Sequence, residues 1–306
     1  MLDDSLSAVK IIAGPCSVDF DNKKEIKDSL KIKYKGKIAL YGVRIVGLKS
    51  RTSFDPKNAF IGIDLEKYEA NCNNAIMQNS NTIDIAPSIE IANEIQGEFQ
   101  EIFMATEVVD PWMQCRIMSK YLNSNRLIIW NPAVNHLGFL IQIMAKYAKA
   151  KQWKIGIKNG KSLGSNIDKS ENKNIETSLD KSWIGLASYA NCLHEKDILM
   201  IHRGVDLGEN QGFRNFPVHN LCKRVKAKSQ LGMFLDPSHI LGPKMRSDIV
   251  NFTIESMKIK SGDGYLYNGI LLECGTSKSD TDQHINHSEL EEIVAKVSHF
   301  RQIYHE

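Results

Sequence analysis

The sequence predicts a closed (β/α)8 barrel, the TIM-barrel class of α/β folds. Two observations lead to it. Eight short apolar segments recur along the 306 residues, each ending in a turn or a polar cluster. Amphipathic stretches lie between most of them, and strand alternating with helix implies a parallel sheet joined by crossover helices. Eight such units suit a closed barrel better than an open sheet.

The predicted strands are 9–13, 38–46, 102–109, 126–130, 154–158, 198–202, 232–235 and 268–272. The seventh shows how such a strand ends. Its apolar run stops on Asp236-Pro237, and proline cannot donate to a sheet ladder and pushes the residue before it out of helical space. Among the connections, residues 88–101 carry Ile89, Ile91, Ala92 and Ile95 at mixed helical spacing, and 137–149 is apolar on more than one face. Residues 111–122, 175–192 and 287–303 also read as helices. Two polar inserts, near 53–81 and 160–181, break the rhythm directly after predicted strands, where barrel enzymes carry functional loops. The second reads as a mobile loop. No internal repeat or linker is visible, so residues 1–306 read as a single barrel domain with no room for an appended regulatory domain.

Composition narrows the function. Hydrophobic residues make up 42% and charged residues 25%, ordinary for a globular protein. A formal net charge of +3 gives no reason to expect nucleic acid or a membrane surface as partner, while anionic small substrates stay possible. The six cysteines (16, 72, 115, 192, 222 and 274) lie far apart without a CxxC pair. The N-terminus lacks a signal pattern, and no apolar run approaches the roughly 20 residues of a bilayer span. The expected location is a reducing cytoplasm with free thiols.

The chemistry lies in the residues at and just past each strand end. The first strand delivers Gly14-Pro-Cys16-Ser17, and the second Arg44 and then Lys49-Ser-Arg51-Thr52-Ser53. The third ends in Thr106-Glu107, the fifth in Lys158-Asn-Gly160, and the sixth in His202-Arg203-Gly204 with Arg214-Asn215 in its loop. The seventh gives His239, and the eighth Glu273 and then Asp280. In a barrel these ends converge on one face. Cys16, His239, Glu273 and Asp280 offer thiolate, imidazole and carboxylates, a mixed set suited to a divalent transition metal. Arg44, Lys49, Arg51, Lys158, Arg203 and Arg214 form a cationic set suited to phosphates and a carboxylate. Each residue also has a plain structural reading. Cys16 could be a small buried hydrophobe, His239 a helix cap, Glu273 a lysine's partner, and Lys49 to Arg51 a solvated loop. Their coincidence at nearly every strand end favours a site.

In order and spacing these motifs resemble class I 3-deoxy-D-arabino-heptulosonate 7-phosphate (DAHP) synthases. Gly14-Pro-Cys-Ser17, Lys49-Ser-Arg-Thr-Ser53, Ala105-Thr-Glu107, Lys158-Asn-Gly160, His202-Arg-Gly204, Arg214-Asn215, Asp236-Pro-Ser-His239 and Glu273 carry the likeness, from about residue 10 to the C-terminus. The branch most similar often bears a fused chorismate mutase, which is missing here. The resemblance implies a metal-dependent barrel that condenses phosphoenolpyruvate with erythrose 4-phosphate, releases phosphate and opens the shikimate pathway. It assigns the metal (Mn, Fe, Co or Zn) to Cys16, His239, Glu273 and Asp280. Arg44, Lys158 and Arg203 would bind phosphoenolpyruvate, and Lys49, Arg51, Thr52 and Ser53 the aldose phosphate, with Arg214 also at the substrate. Lys49, Lys158 and His239 are the catalytic candidates. A homodimer or homotetramer is the expected assembly.

The chain departs from that pattern in three places. Ser50 replaces a proline in the aldose-phosphate motif, and Cys274-Gly275 stands where a histidine would come after the glutamate. The fourth strand runs into Trp130-Asn-Pro-Ala-Val134 where the family has Gly-Ala-Arg. The related 3-deoxy-D-manno-octulosonate 8-phosphate synthase is one alternative. A diverged barrel that binds a phosphorylated metabolite or a partner, with weak or no activity, is another.

Overall fold

The computed structural model describes residues 8–18, 21–46, 87–133, 137–160, 177–207, 211–276 and 282–304. The insert at 53–81, most of 160–181, and Lys49, Arg51, Thr52, Ser53 and Asp280 lie outside them.

Eight parallel strands close on themselves: β1 (Lys10–Gly14), β2 (Gly42–Arg44), β3 (Phe103–Glu107), β4 (Leu127–Trp130), β5 (Lys154–Lys158), β6 (Ile198–His202), β7 (Gly232–Leu235) and β8 (Gly269–Glu273). Each pairs with its sequence neighbours, and β1 pairs with both β2 and β8 to close the ring. The (β/α)8 expectation holds. Side chains alternate across a strand, so Leu199 and Ile201 of β6 point into the barrel while Ile198 and Met200 join the shell under the helices. Ile12, Phe103, Ile128, Trp130, Phe234 and Leu271 fill the rest of the barrel interior. The barrel is therefore a packed core whose chemistry is confined to its ends.

Helices at Pro87–Glu98, Pro111–Tyr121, Gly138–Lys151 and His287–Ser298 occupy the connections where helical spacing predicts them. The helix predicted over 175–192 is shorter, Ser178–Ser188. Thr177 caps it: its side chain accepts from the Asp180 N–H, and the Asp180 carboxylate accepts from the Thr177 N–H. The helix predicted over 287–303 stops at Ser298, and Ile303 instead bridges Val9 beside β1.

The second predicted strand, 38–46, needs correction. Only Gly42–Arg44 enters the barrel, because Lys33–Tyr34 and Lys37–Ile38 pair as an antiparallel hairpin. Its two-residue turn has Lys35 at φ 51° and Gly36 at φ 80°, the positive values that tight hairpin turns require. A matching hairpin, Lys260–Ser261 with Gly264–Tyr265, precedes β8. Helices Lys23–Ser29, His219–Ser229 and Ile249–Ser256 are not among those the sequence predicts. In His219–Ser229 a narrow buried stripe of Leu221, Cys222 and Val225 sits among basic residues, too thin a pattern to stand out. A cavity of about 500 Å³, lined by Ile38, Leu40, Tyr41, Ile102 and Tyr304 among others, opens at the N-terminal ends of the strands, away from the chemistry-bearing residues. No helix among the described residues is long and apolar enough to cross a membrane.

Candidate active site at the strand ends

Every barrel strand delivers a polar or aromatic group at or just past its last residue. Arg44, Glu107, Trp130, Lys158, His202 and Glu273 are the final residues of β2, β3, β4, β5, β6 and β8. Asp236 directly follows β7, and Cys16 stands one residue further on, past Pro15, after β1. Parallel pairing in register brings these ends to one level, as Gly14 opposite Glu273 and Glu107 opposite Trp130 illustrate.

Arg44 and Glu273 belong to strands separated by β1, yet the Arg44 Nη2 donates to Glu273 Oε1 at 3.1 Å, with both side chains fully buried. Gly14 lies between them, and a Cβ there would come within 3.0 Å of the Arg44 backbone nitrogen. The glycine leaves room for the backbone and Cβ of Arg44 to pack beside β1. Arg44 Nε also donates to the Pro15 carbonyl at 3.2 Å. The other oxygen of Glu273 accepts from Gln283 Nε2 at 2.5 Å, and Gln283 in turn accepts from Arg214 Nη1 at 2.7 Å. Arg214 is thus tied to the metal-capable carboxylate through Gln283.

Asp236 organises the opposite side. It ends the β7 segment and caps the short helix Pro237–Leu241, accepting from the His239 N–H at 3.3 Å. The same oxygen lies 3.0 Å from His239 Nδ1, and the second lies 3.2 Å from Lys158 Nζ. Burial alone would raise the Asp236 carboxyl, but His239 and the Lys158 ammonium hold it well below the usual carboxylate range. Burial also pulls His239 down to about 4 despite the Asp236 charge, so the imidazole is neutral near pH 7 and can offer a lone pair. With Nδ1 on Asp236, the free nitrogen is Nε2, 3.9 Å from Glu273 Oε1. Reading Asp236 as a strand stop misses this role. An Asp three residues before a candidate His, at a helix start, is the signal that could have found it.

Lys158 also faces Glu107 Oε2 at 3.8 Å. Carboxylates from β3 and β7 are thus close partners of the Lys158 ammonium. The indole N–H of Trp130 donates to Glu107 at 3.3 Å, and its ring centroid lies 5.6 Å from both the Arg44 guanidinium carbon and Lys158 Nζ. An aromatic floor, with cations over it, occupies the end of β4. Asn131 accepts from the Lys158 N–H at 2.9 Å and Asn159 from the Arg203 N–H at 2.8 Å, which ties the ends of β4, β5 and β6 together. Gly204 has φ 78°, and a Cβ on it would meet the Asn215 carbonyl at 2.5 Å.

Arg203 is buried, and burial, reinforced by the Arg214 guanidinium, lowers it to about 10, still charged at neutral pH. One nitrogen on each of Arg44 and Arg203 (Nη1 in both) is buried without a hydrogen-bond partner among the described residues. A buried donor without a partner calls for an explanation, and a bound anion is one. Close to Arg44, Cys16, Glu273 and His284 each bring a ligand atom within 4.8 Å of the others. Thiolate, carboxylate and imidazole fit a divalent transition metal, and His239 adjoins the same glutamate. His284 is absent from the ligand set read in the sequence.

Fold and site together define a TIM barrel with an enzyme-type site at the C-terminal ends of its strands, rich in buried cations and soft donors. No protein-family model matches the chain, and no curated protein does. Among solved structures it is similar to the truncated form of 3-deoxy-D-arabino-heptulosonate 7-phosphate synthase from Thermotoga maritima, with a TM-score of 0.63 and 16% sequence identity, over 96% of this chain and 86% of that one. Likeness at that level is one of fold, and the barrel is DAHP synthase-like, as the sequence motifs imply.

Proposed function

We propose that the protein catalyses a DAHP synthase-type aldol condensation, joining phosphoenolpyruvate to erythrose 4-phosphate with release of phosphate in a metal-dependent reaction. The observation that carries this reading is the pair of buried guanidinium nitrogens, on Arg44 and Arg203, that have no hydrogen-bond partner among the described residues, at the strand ends that also bring together a thiol, an imidazole and a carboxylate. An anionic substrate supplies what the two arginines lack, and bidentate geometry fixes its orientation. Cys16, His239 and Glu273 would hold the metal, with Asp280, outside the described residues, as the further ligand the motif spacing suggests. When bound, the metal supplies Lewis-acid polarisation of the aldehyde carbonyl.

The chain's own groups do the rest. Arg44, Arg203 and Lys158 hold phosphoenolpyruvate beside the Trp130 ring, over which the Arg44 and Lys158 cations lie. Lys158, steadied between Asp236 and Glu107, is placed to deliver a proton to the aldehyde oxygen as the new carbon–carbon bond forms. Water then adds to the former enol carbon, and the hemiketal phosphate collapses with loss of inorganic phosphate. Lys49, Arg51, Thr52 and Ser53 would take the aldose phosphate. We place the reaction in the shikimate pathway, in a cytoplasmic homodimer or homotetramer.

The absence of a cation from Trp130 to Ala133 motivates a second reading, a diverged barrel that binds a phosphorylated metabolite without turnover. Phosphate release from phosphoenolpyruvate with erythrose 4-phosphate and Mn²⁺ tests both, with arabinose 5-phosphate in a parallel arm. Turnover with the four-carbon sugar supports the synthase. Turnover only with the five-carbon sugar moves the assignment to the octulosonate enzyme. Metal binding without turnover leaves the binding reading.

A further inference from the structure

His284 sits beside the candidate metal cluster because of its backbone. Cys274, the residue after β8, forms a parallel bridge with Ile285. The Ile285 N–H donates to the Glu273 carbonyl and the Gly275 N–H to the Ile285 carbonyl, both at 2.9 Å. The segment after the β8 loop therefore runs parallel to, and alongside, the strand end that presents Glu273. Two further contacts hold it there. Arg246 Nε donates to the His284 carbonyl at 2.8 Å, and Asn286 begins the last helix with a capping box through Glu289. Gln283 and His284, side by side, then address two parts of one site. Gln283 binds Glu273, and His284 accepts the Cys16 N–H on Nε2 at 3.0 Å. That hydrogen bond means Nε2 carries a lone pair aimed at the cysteine that bears the thiol.

We propose that His284 is a ligand of the metal held at this site, adding an imidazole nitrogen to the Cys16 thiolate and the Glu273 carboxylate. The inference rests on the metal-dependent reading above and deepens it. Three donors of three kinds lie within 4.8 Å of one another, close enough to contract around one ion with side-chain movement alone. A sulfur and imidazole nitrogens outweigh the oxygens in the resulting set, so the site selects zinc, cobalt or ferrous iron over hard ions such as magnesium. On metal binding the His284 lone pair turns from the Cys16 amide to the ion.

Cobalt(II) alone is the probe, added to the full chain and monitored by its thiolate-to-metal charge-transfer and d–d absorption, with affinity from competition against zinc. The expected wild-type result is a charge-transfer band and an intense, low-coordinate d–d envelope. His284→Ala should weaken cobalt binding by about 10–100-fold or more and change the d–d envelope. His284→Gln offers an amide oxygen to the Cys16 N–H in place of Nε2. Under the proposal it shows the same loss as His284→Ala. Wild-type affinity and spectrum in His284→Gln would make the histidine a backbone acceptor only and overturn the inference. Cys16→Ser separates the two levels of the argument. Loss of the band in Cys16→Ser with no effect at His284 sinks the ligand assignment alone. A wild-type chain with no thiolate–cobalt band sinks the metal reading with it.

Discussion

Asp236 divides its carboxylate between the two candidate catalytic side chains, one oxygen 3.0 Å from His239 Nδ1 and the other 3.2 Å from Lys158 Nζ. The residue is fully buried and also caps the helix that carries His239. One side chain thereby fixes the orientation of the imidazole, the place of the ammonium and the direction of the chain after β7.

Asp236→Asn keeps the shape and removes the charge. Turnover should fall roughly 10²–10⁴-fold, the range of a misplaced acid–base group. Breaking a buried pair from one side also costs about 3–5 kcal/mol of stability. Phosphate-release kinetics and a thermal melt read the two effects. Full turnover in this variant would show that Lys158 and His239 need no shared anchor.

Arg203→Ala removes one of the two strand-end guanidinium groups that carry a buried nitrogen with no hydrogen-bond partner among the described residues. Phosphoenolpyruvate binding should weaken by about 2–5 kcal/mol, the cost of truncating one side of a buried charged contact. Calorimetry with phosphoenolpyruvate measures it. Undiminished affinity would take Arg203 out of the anion site.

Asp180 and Arg224 form a buried two-point pair, Nε to Oδ2 at 2.9 Å and Nη2 to Oδ1 at 3.3 Å, and Asp180 also completes the Thr177 capping box. Asp180→Ala leaves a buried guanidinium uncompensated and should cost about 3–5 kcal/mol in a denaturant titration. Cobalt affinity of the folded fraction should be unchanged, because the pair belongs to the packing of the outer helices. A matching loss of metal affinity would mean that the helix shell and the site are coupled.

His202 and His219 both bring Nδ1 to the Tyr267 hydroxyl, at 2.9 and 2.7 Å. Burial lowers His219 to about 4, and burial, then the neighbouring His219 ring, lowers His202 well below the ordinary histidine value. The unfolded chain takes up protons on these rings from about pH 6.5 downward while the folded one does not. Stability contributed by the neutral rings is thus present above about pH 6.5 and is lost as pH falls toward 4. Denaturant midpoints across that window should drop in the wild type and drop less in His219→Gln. Equal slopes would exclude His219 as a source of the acid sensitivity.

Strands β5, β6 and β7 match the sequence reading residue for residue, because an unbroken apolar run between polar breakers has one reading. The stretch 38–46 does not, since its apolar residues divide between a hairpin and a strand, and local pattern contains no mark of that division. Cys16, Arg44, Lys158, Arg203, His239 and Glu273 are all legible as strand-end chemistry. Gln283 as the link from Arg214 to Glu273 is not. Neither is His284, which reaches the site through the backbone bridge between Cys274 and Ile285.

The amino-acid order alone dictates that eight strands alternate with helices and that reactive groups cluster just past the strand ends. Those are properties of short windows, where side-chain period and chain breakers act directly on the backbone. Folding in three dimensions was needed to pair Arg44 with Glu273, 229 residues away, and to set Asp236 between Lys158 and His239. Hydrogen bonds and ion pairs act over about 3–4 Å, and which groups come that close is set by barrel closure and register, which join residues that local pattern cannot relate.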